Sequence, residues 1–309
     1  MRKSRVTTTD GLPEVGPWDK EKLERLRKYL TAYTKIMSRQ TWAKGYVYID
    51  AFAGAGRSVV RSSGSADLIS QIFATAQTVR SNDDARQVLN GSPRVALEIE
   101  PPFTDYVFLE RDPARVATLQ ALSQEYVGTR RIFIRSEDCN SYLAKTITKL
   151  DWKKWRGVVF LDPFGMQVPW KTIEALAQTG AIEVFLNFPV GMSIQRLLRR
   201  DASFTAKQRE KLDSYFGDPS WFDVVYPRSA GLFGAVQEKA EGSARRLVEW
   251  YCERLKKAFG HVSNTYLVSN SHGGHLYFLV FAGPNKTGAA IASSVLRGGI
   301  KEAIPRRRH

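Results

Sequence analysis

The chain has 309 residues, 43% hydrophobic and 25% charged, a balance that suits a globular protein with a sizeable core and excludes a disordered chain. Its longest apolar runs, such as Leu276 to Ala282, fall far short of a bilayer span, and its two cysteines, Cys139 and Cys252, exclude a disulfide scaffold and a cysteine-rich metal site. With 46 Lys and Arg against 31 Asp and Glu the net charge is +15, a field that draws polyanions, nucleic acid first among them; a basic, solvated surface without such a partner is the plainer alternative.

Residues 1–18 read as a loose tail, with Thr7-Thr8-Thr9, Gly11, Pro13 and Pro17. Met1 to Gly16 has no apolar core, so a signal peptide is not expected, and a reducing cytoplasm is the expected location. Asp19 suits the N-cap of a helix whose apolar face runs Leu23, Leu26, Leu30, Tyr33, Met37. Tyr46 to Asp50 is a strand that leads straight into the glycine turn Ala51-Phe52-Ala53-Gly54-Ala55-Gly56. Residues 57–92 keep no period and read as an insertion, partly helical from Leu68 to Thr78. Sixty residues separate Asp50 from Glu110, where a plain βαβ unit needs roughly 30. The first crossover helix is therefore expected at Arg94–Ile99, with the insertion as an arginine-containing flap.

Tyr106 to Leu109 is a second strand, followed by Asp112-Pro113 capping a helix with Val116, Leu119, Leu122 and Tyr126 on one face. Arg131 to Ile134 is a third strand, and Asn140 can cap the helix carrying Leu143, Ile147 and Leu150. Gly157 to Leu161, nearly all apolar, reads as a central parallel strand and ends in Asp162-Pro163-Phe164-Gly165. A helix from Thr172 to Thr179 and a fifth strand from Ile182 to Leu186 follow. Residues 199–243 break the rhythm as a second insertion. The helix Ala244 to Phe259 is followed by strands at Thr265 to Val268 and Leu276 to Phe281, with a glycine hairpin between them, and by a last helix from Thr287 to Leu296. Residues 301–309 are a basic tail.

Strands alternating with helices imply a parallel sheet with helices on both faces. With its terminal hairpin the expected fold resembles the Rossmann-like α/β plan of the class I methyltransferases: a seven-stranded, mostly parallel sheet with a C-terminal antiparallel hairpin plus helical insertions, in one domain over residues 19–300.

Ligands of such sheets sit at the carboxyl ends of the strands. Four consecutive strands deliver an acid there: Asp50, Glu110 with Asp112, Asp138, and Asp162. Asp50-x-Phe52-x-Gly54-x-Gly56 lacks the third glycine of the dinucleotide fingerprint, and no P-loop occurs. An acid ahead of the turn suits a cofactor with a free ammonium and no phosphate; the resemblance to the class I methyltransferase plan implies S-adenosylmethionine. Glu110 can accept both ribose hydroxyls, or serve as a helix-capping or surface acid. Asp138 resembles the residue that receives the adenine amino group in this fold, or is a turn aspartate. Cys139 can line the adenine pocket or be a buried structural thiol. His272-Gly273-Gly274-His275 has no acidic or cysteine partner close in sequence, so it reads as a turn and no metal site is expected.

Asp162-Pro163-Phe164-Gly165 resembles the Asp/Asn-Pro-Pro-Tyr/Phe motif of methyltransferases that modify exocyclic amines of bases, and the Asp-Pro-Phe-Gly form of tRNA guanine-N2 methyltransferases. The resemblance implies that the Asp162 side chain and the Pro163 carbonyl accept the amine's protons and that Phe164 stacks on the extruded base. The second proline of the motif is absent, and a simple strand-end turn is the alternative. Arg57, Arg61, Arg196, Arg199, Arg200, Arg306, Arg307 and Arg308 are the candidate nucleic-acid contacts.

Lys28-Tyr29-Leu30, Tyr48 to Gly56, Gly91 to Leu97, Val159 to Val168, Asn187-Phe188-Pro189 and Pro284 to Gly288 also resemble the bacterial three-Cys-motif partner family. That resemblance implies a methyltransferase-like fold and a separate partner carrying a three-cysteine motif. It leaves two activities open: methyl transfer to a base in DNA or RNA, or a non-catalytic nucleic-acid-binding scaffold on the same fold.

Overall fold

The computed structural model describes residues 14–15, 18–60, 88–145, 150–231, 234–270 and 273–297. The expected helix at Leu68 to Thr78, Arg61, Ile147 and the basic tail lie outside them. Contacts divide the chain into two compact units, residues 1–38 with 47–139, and residues 39–46 with 140–309.

The first unit begins with β1 (Glu14–Val15) and α1 (Trp18–Met37). The helix starts one residue ahead of the expected cap, so Asp19 lies in the first turn and pairs with Lys22 at 2.7 Å. Leu23, Leu26, Leu30, Tyr33 and Met37 are all buried, as their spacing predicts. The unit's part of the central sheet is β2 (Gly45–Asp50) from Val47 onward, β5 (Asp105–Leu109) and β6 (Ile132–Arg135), parallel throughout and ordered β6-β5-β2.

The insertion leaves this sheet by a stalk. β3 (Arg57–Val60) pairs antiparallel with β4 (Val88–Asn90), Arg57 opposite Asn90, and β1 joins β3 in parallel. The described ends of the insertion are thus strands. The crossover helix α2 (Ser92–Leu97) stands where the sixty-residue spacing places it, and α3 (Pro113–Gln124) starts at the expected Asp112 cap.

The second unit takes all but the first residue of α4 (Cys139–Lys145). Asn140 lies inside this helix, not ahead of it: its amide donates to the Gln167 carbonyl at 2.9 Å and accepts from the Thr172 hydroxyl at 3.1 Å, a tie across the unit instead of a cap. β7 (Trp155–Leu161) and β8 (Ile182–Phe188) run parallel, joined through α5 (Trp170–Gln178). A π-helical turn (Val190–Ile194) leaves β8, and the second insertion folds as α6 (Ala206–Phe216), α7 (Trp221–Val225) and the hairpin β9 (Arg228–Gly231) with β10 (Gly234–Gln237). The helix α8 (Ser243–Phe259) packs Leu247, Val248, Tyr251, Leu255 and Phe259 inward, with Tyr251 against Phe188 at 4.9 Å between ring centres.

β11 (His261–Val262), β12 (Tyr266–Ser269) and β13 (His275–Gly283) precede the last helix, α9 (Lys286–Arg297). β13 is antiparallel to β8 on one side and to both β11 and β12 on the other. The central sheet therefore counts eight strands, not seven. The extra strand has a local cause: at Ser263 the side-chain hydroxyl, in place of a backbone carbonyl, accepts the Phe281 amide at 3.1 Å. That substitution breaks what would be one strand into β11 and β12.

Candidate active site

In the first unit the three carboxyl ends share one edge. Asp50 lies opposite Phe108 and Leu109 opposite Arg135, so Asp50, Glu110 and Asp138 follow neighbouring strand ends. Asp50 is fully buried, accepting the Phe52 amide and the Tyr48 hydroxyl, each at 3.2 Å. Its carboxylate shapes the turn that follows. The Ala53 amide ties that turn to the Leu109 carbonyl at 3.1 Å. Gly54 (φ 64°) and Gly56 (φ 70°) are left-handed, where a side chain is strained. A Cβ on Gly54 would meet nothing within 4 Å, so the turn presents bare backbone to open space.

Glu110 spends Oε1 on the amides of Arg111 (2.8 Å) and Asp112 (2.9 Å), while Oε2 stands 3.8 Å from Arg115. The capping alternative thus accounts for one oxygen and leaves the other with a loose ion pair. Asp112 is the N-cap of α3: its Oδ1 accepts from Ala114 (2.9 Å) and Arg115 (3.3 Å). Asp138 stands 3.8 Å from Arg111 with 42% of its side chain exposed, and Cys139, next to it, is buried.

In the second unit, Asp162 follows β7 directly, half-buried, and its Oδ1 accepts the Asn187 amide at 2.6 Å. Pro163 is buried, its carbonyl accepting the Gly165 amide at 3.0 Å, and Phe164 is 52% exposed. Gln167 holds the Phe164 amide at 2.5 Å. Gly165 (φ 87°) lies so close to Ser193 that an added Cβ would stand 3.0 Å from its Cβ. Asn187 and Gln167 carry no signal in the sequence beyond their places in the Asn187-Phe188-Pro189 and Val159 to Val168 stretches.

Of the basic candidates, Arg196, Arg199 and Arg200 are exposed, and Arg199 donates to the Ser203 hydroxyl at 3.2 Å. Arg57 is placed in β3, and Arg61, Arg306, Arg307 and Arg308 lie outside the described residues. Among the described residues no three His, Cys, Asp or Glu side chains gather as a metal site, and no helix is long and apolar enough to cross a membrane.

The strand orders β6-β5-β2 and β7-β8-β13, with β13 reversed and β12 beyond it, are those of the methyltransferase plan. The chain has a methyltransferase-like α/β fold. No family model and no curated protein sequence matches it. Among solved structures it is similar to a Legionella pneumophila protein of the DUF519 family, at TM-score 0.52 and 13% identity over 90% of each chain. It also matches an Escherichia coli protein, yhhF, provisionally described as a methyltransferase, at TM-score 0.29 and 17% identity over 53% of this chain and 67% of that one. The first likeness is one of fold; the second is too low to add to it.

Proposed function

We propose that the protein is an S-adenosylmethionine-dependent methyltransferase acting on an exocyclic amino group of a base in DNA or RNA, together with a partner that carries a three-cysteine motif. The observation that carries this reading is the turn after β7. Three consecutive residues offer a carboxylate fixed by Asn187, a buried proline carbonyl and a half-exposed aromatic ring. An exocyclic amine is planar, and its lone pair is delocalised into the base. Hydrogen bonds from its two protons to the Asp162 carboxylate and the Pro163 carbonyl hold the nitrogen as it turns tetrahedral. The Pro163 carbonyl already accepts from Gly165 and, like any carbonyl, has a second lone pair to offer. Phe164 supplies a face on which the extruded base stacks.

The first unit would hold the cofactor, which when bound supplies an electrophilic methyl group. The open space beside Gly54 fits close approach of a ligand to backbone. Asp50 and Phe52 shape that turn with Gly56, Glu110 would accept ribose hydroxyls through Oε2, Asp112 fixes the start of α3, and Asp138 and Cys139 would meet the adenine. Arg196, Arg199 and Arg200 are the cations offered to the nucleic-acid backbone.

One observation favours a scaffold without transfer: Gly165 stands near the place of the aromatic residue that ends the amine-methylating motif, and the second proline is missing. Two measurements separate the readings. Calorimetry with S-adenosylmethionine and S-adenosylhomocysteine tests the cofactor. Transfer of labelled methyl groups to total DNA and RNA from a host lacking the gene, with the partner protein added, tests the reaction. Cofactor binding with labelled nucleic acid supports the enzyme. Nucleic-acid binding with no label under those conditions supports the scaffold.

A further inference from the structure

The second unit has a cleft of about 440 Å³ between the π-helical turn, which supplies Val190 and Gly191, and the first turn of α8; Gln195 and His275 complete its wall. Neither the strand-end acids nor the Asp162 turn lines it. π-Helical turns of this kind are frequent at functional sites.

Ser243, Gln195 and the Ala244 amide each offer a donor to the cleft. Ser243 lines it while its residue is only 4% exposed, and its hydroxyl makes no hydrogen bond among the described residues. A hydroxyl that lines the cleft without a protein partner is free to donate to a ligand. Gln195 accepts from Lys239 Nζ through Oε1 at 2.6 Å, which fixes its amide and leaves the Nε2 hydrogens as its contribution to the cleft. Among the described residues the Ala244 N–H donates to no backbone carbonyl, whereas the Ser243 amide takes that of Ala240 and the Arg245 and Arg246 amides share that of Gly242. These N–H groups open the 17-residue α8, which has no side-chain cap, so the positive end of the helix dipole faces the same space. Among the described residues no Asp or Glu lines the cleft.

We propose that this cleft is a subsite for a backbone phosphate of a nucleic acid, with Ser243, Gln195 and the Ala244 amide as its donors; the assignment rests on the nucleic-acid reading above. Donors converging at a helix N-terminus are the ordinary chemistry of phosphate binding. A polynucleotide backbone is favoured over a free phosphate for two reasons. The space exceeds one ion, and positive charge continues along the surface: Arg196 follows Gln195 directly, Arg199 and Arg200 come next, and Arg246 lies exposed in the first turn of α8.

The test uses the full chain, labelled duplex DNA and a labelled hairpin RNA, and fluorescence anisotropy at fixed salt. Ser243→Glu places a carboxylate among the donors, and an acid in the first turn suits the helix dipole. Gln195→Glu is isosteric and exchanges a donor for a charge, so it guards against a folding defect in the first variant. Both are expected to raise the dissociation constant at least tenfold, with S-adenosylmethionine affinity unchanged by calorimetry. Wild-type affinity for both nucleic acids in both variants overturns the subsite, as does a wild type that binds neither. A thermal midpoint raised by inorganic phosphate in wild type but not in Ser243→Glu, with nucleic-acid binding unchanged, makes it a free-phosphate site and overturns the assignment. If the subsite fails while wild type still binds cofactor and transfers methyl groups, only this inference falls. If wild type binds neither cofactor nor nucleic acid, the functional reading falls with it.

Discussion

The amide of Gly91 donates to the carbonyl of Gly56 at 2.8 Å, although 34 residues lie between them. The two ends of the insertion meet there, so the glycine turn after β2 continues into α2 as though nothing intervened. The contact is backbone on backbone: a Cβ on Gly91 would stand 2.8 Å from the Gly56 carbonyl carbon. Gly91→Ala has no flexible side chain to push aside, and overpacking of this kind costs about 1–3 kcal/mol. Gly54→Ala meets nothing, so it carries only the penalty of its left-handed backbone, about 1–2 kcal/mol. Urea denaturation of the two variants should rank Gly91→Ala as the less stable. At matched folded fraction, Gly54→Ala should lose cofactor affinity by encroaching on the open face of the turn.

Glu110 allows its two roles to be separated. Gln retains an acceptor oxygen for the Arg111 and Asp112 amides but puts an NH2 group where Oε2 stands. Glu110→Gln should therefore melt close to wild type and still lose about 1.5–3 kcal/mol of S-adenosylmethionine affinity, the range for hydrogen bonds to a charged group. Glu110→Ala should lose both cofactor affinity and stability. Calorimetric affinity unchanged in Glu110→Gln would remove this carboxylate from the site.

Much of the fold was legible because its signals are local. The apolar steps of α1, the Asp112-Pro113 start of α3 and the apolar run of β7 each report a single element, and each stands within a residue or two of its expected place. The eighth strand was not legible, because it depends on the Ser263 hydroxyl substituting for a carbonyl across to Phe281. Asn140 misled for a related reason: its type is right for a cap, but its partners, Gln167 and Thr172, are 27 and 32 residues away. In the site, the strand-end acids could be read from strand periodicity alone. The partners that hold them could not, since Asn187 reaches Asp162 from another strand and no spacing rule connects the two.

Asp105 gives a pH test of the first unit. Burial raises its carboxyl above the ordinary 3.8, and Arg131, 3.2 Å away but largely exposed, offsets this only in part. A carboxyl whose folded pKa is raised holds its proton more tightly folded than unfolded. Its contribution is fully present below the unfolded pKa and is lost as pH rises through the folded one. Asp105→Asn removes that titration. Its melting temperature relative to wild type should rise from pH 3 to pH 7 and then level off. A difference that stays flat or falls over that range would show that the Arg131 pair outweighs the burial.

The hydrogen bond from Asn187 to Asp162 can be tested through the pH dependence of turnover. If Asp162 accepts a proton of the reacting amine, Asp162→Ala should lower methyl transfer on the order of 100-fold or more, the usual cost of losing a polar group at a reacting centre. Nucleic-acid affinity should barely move, because phosphate contacts dominate it. Asn187 is 5% exposed and, at 2.6 Å, keeps the Asp162 carboxylate in one orientation. Asn187→Ala should therefore lower kcat without changing nucleic-acid affinity, but a structural defect could do the same. Asn187→Asp is the sharper variant. It sets a second carboxyl within hydrogen-bond distance of the first, and two carboxylates sharing a site cannot both ionise easily, so one pKa rises strongly. If transfer needs Asp162 ionised, the acid limb of the kcat profile should move to higher pH, with activity recovering as the pair loses its shared proton. A merely structural role for Asn187 predicts lower activity at every pH with the limb unmoved.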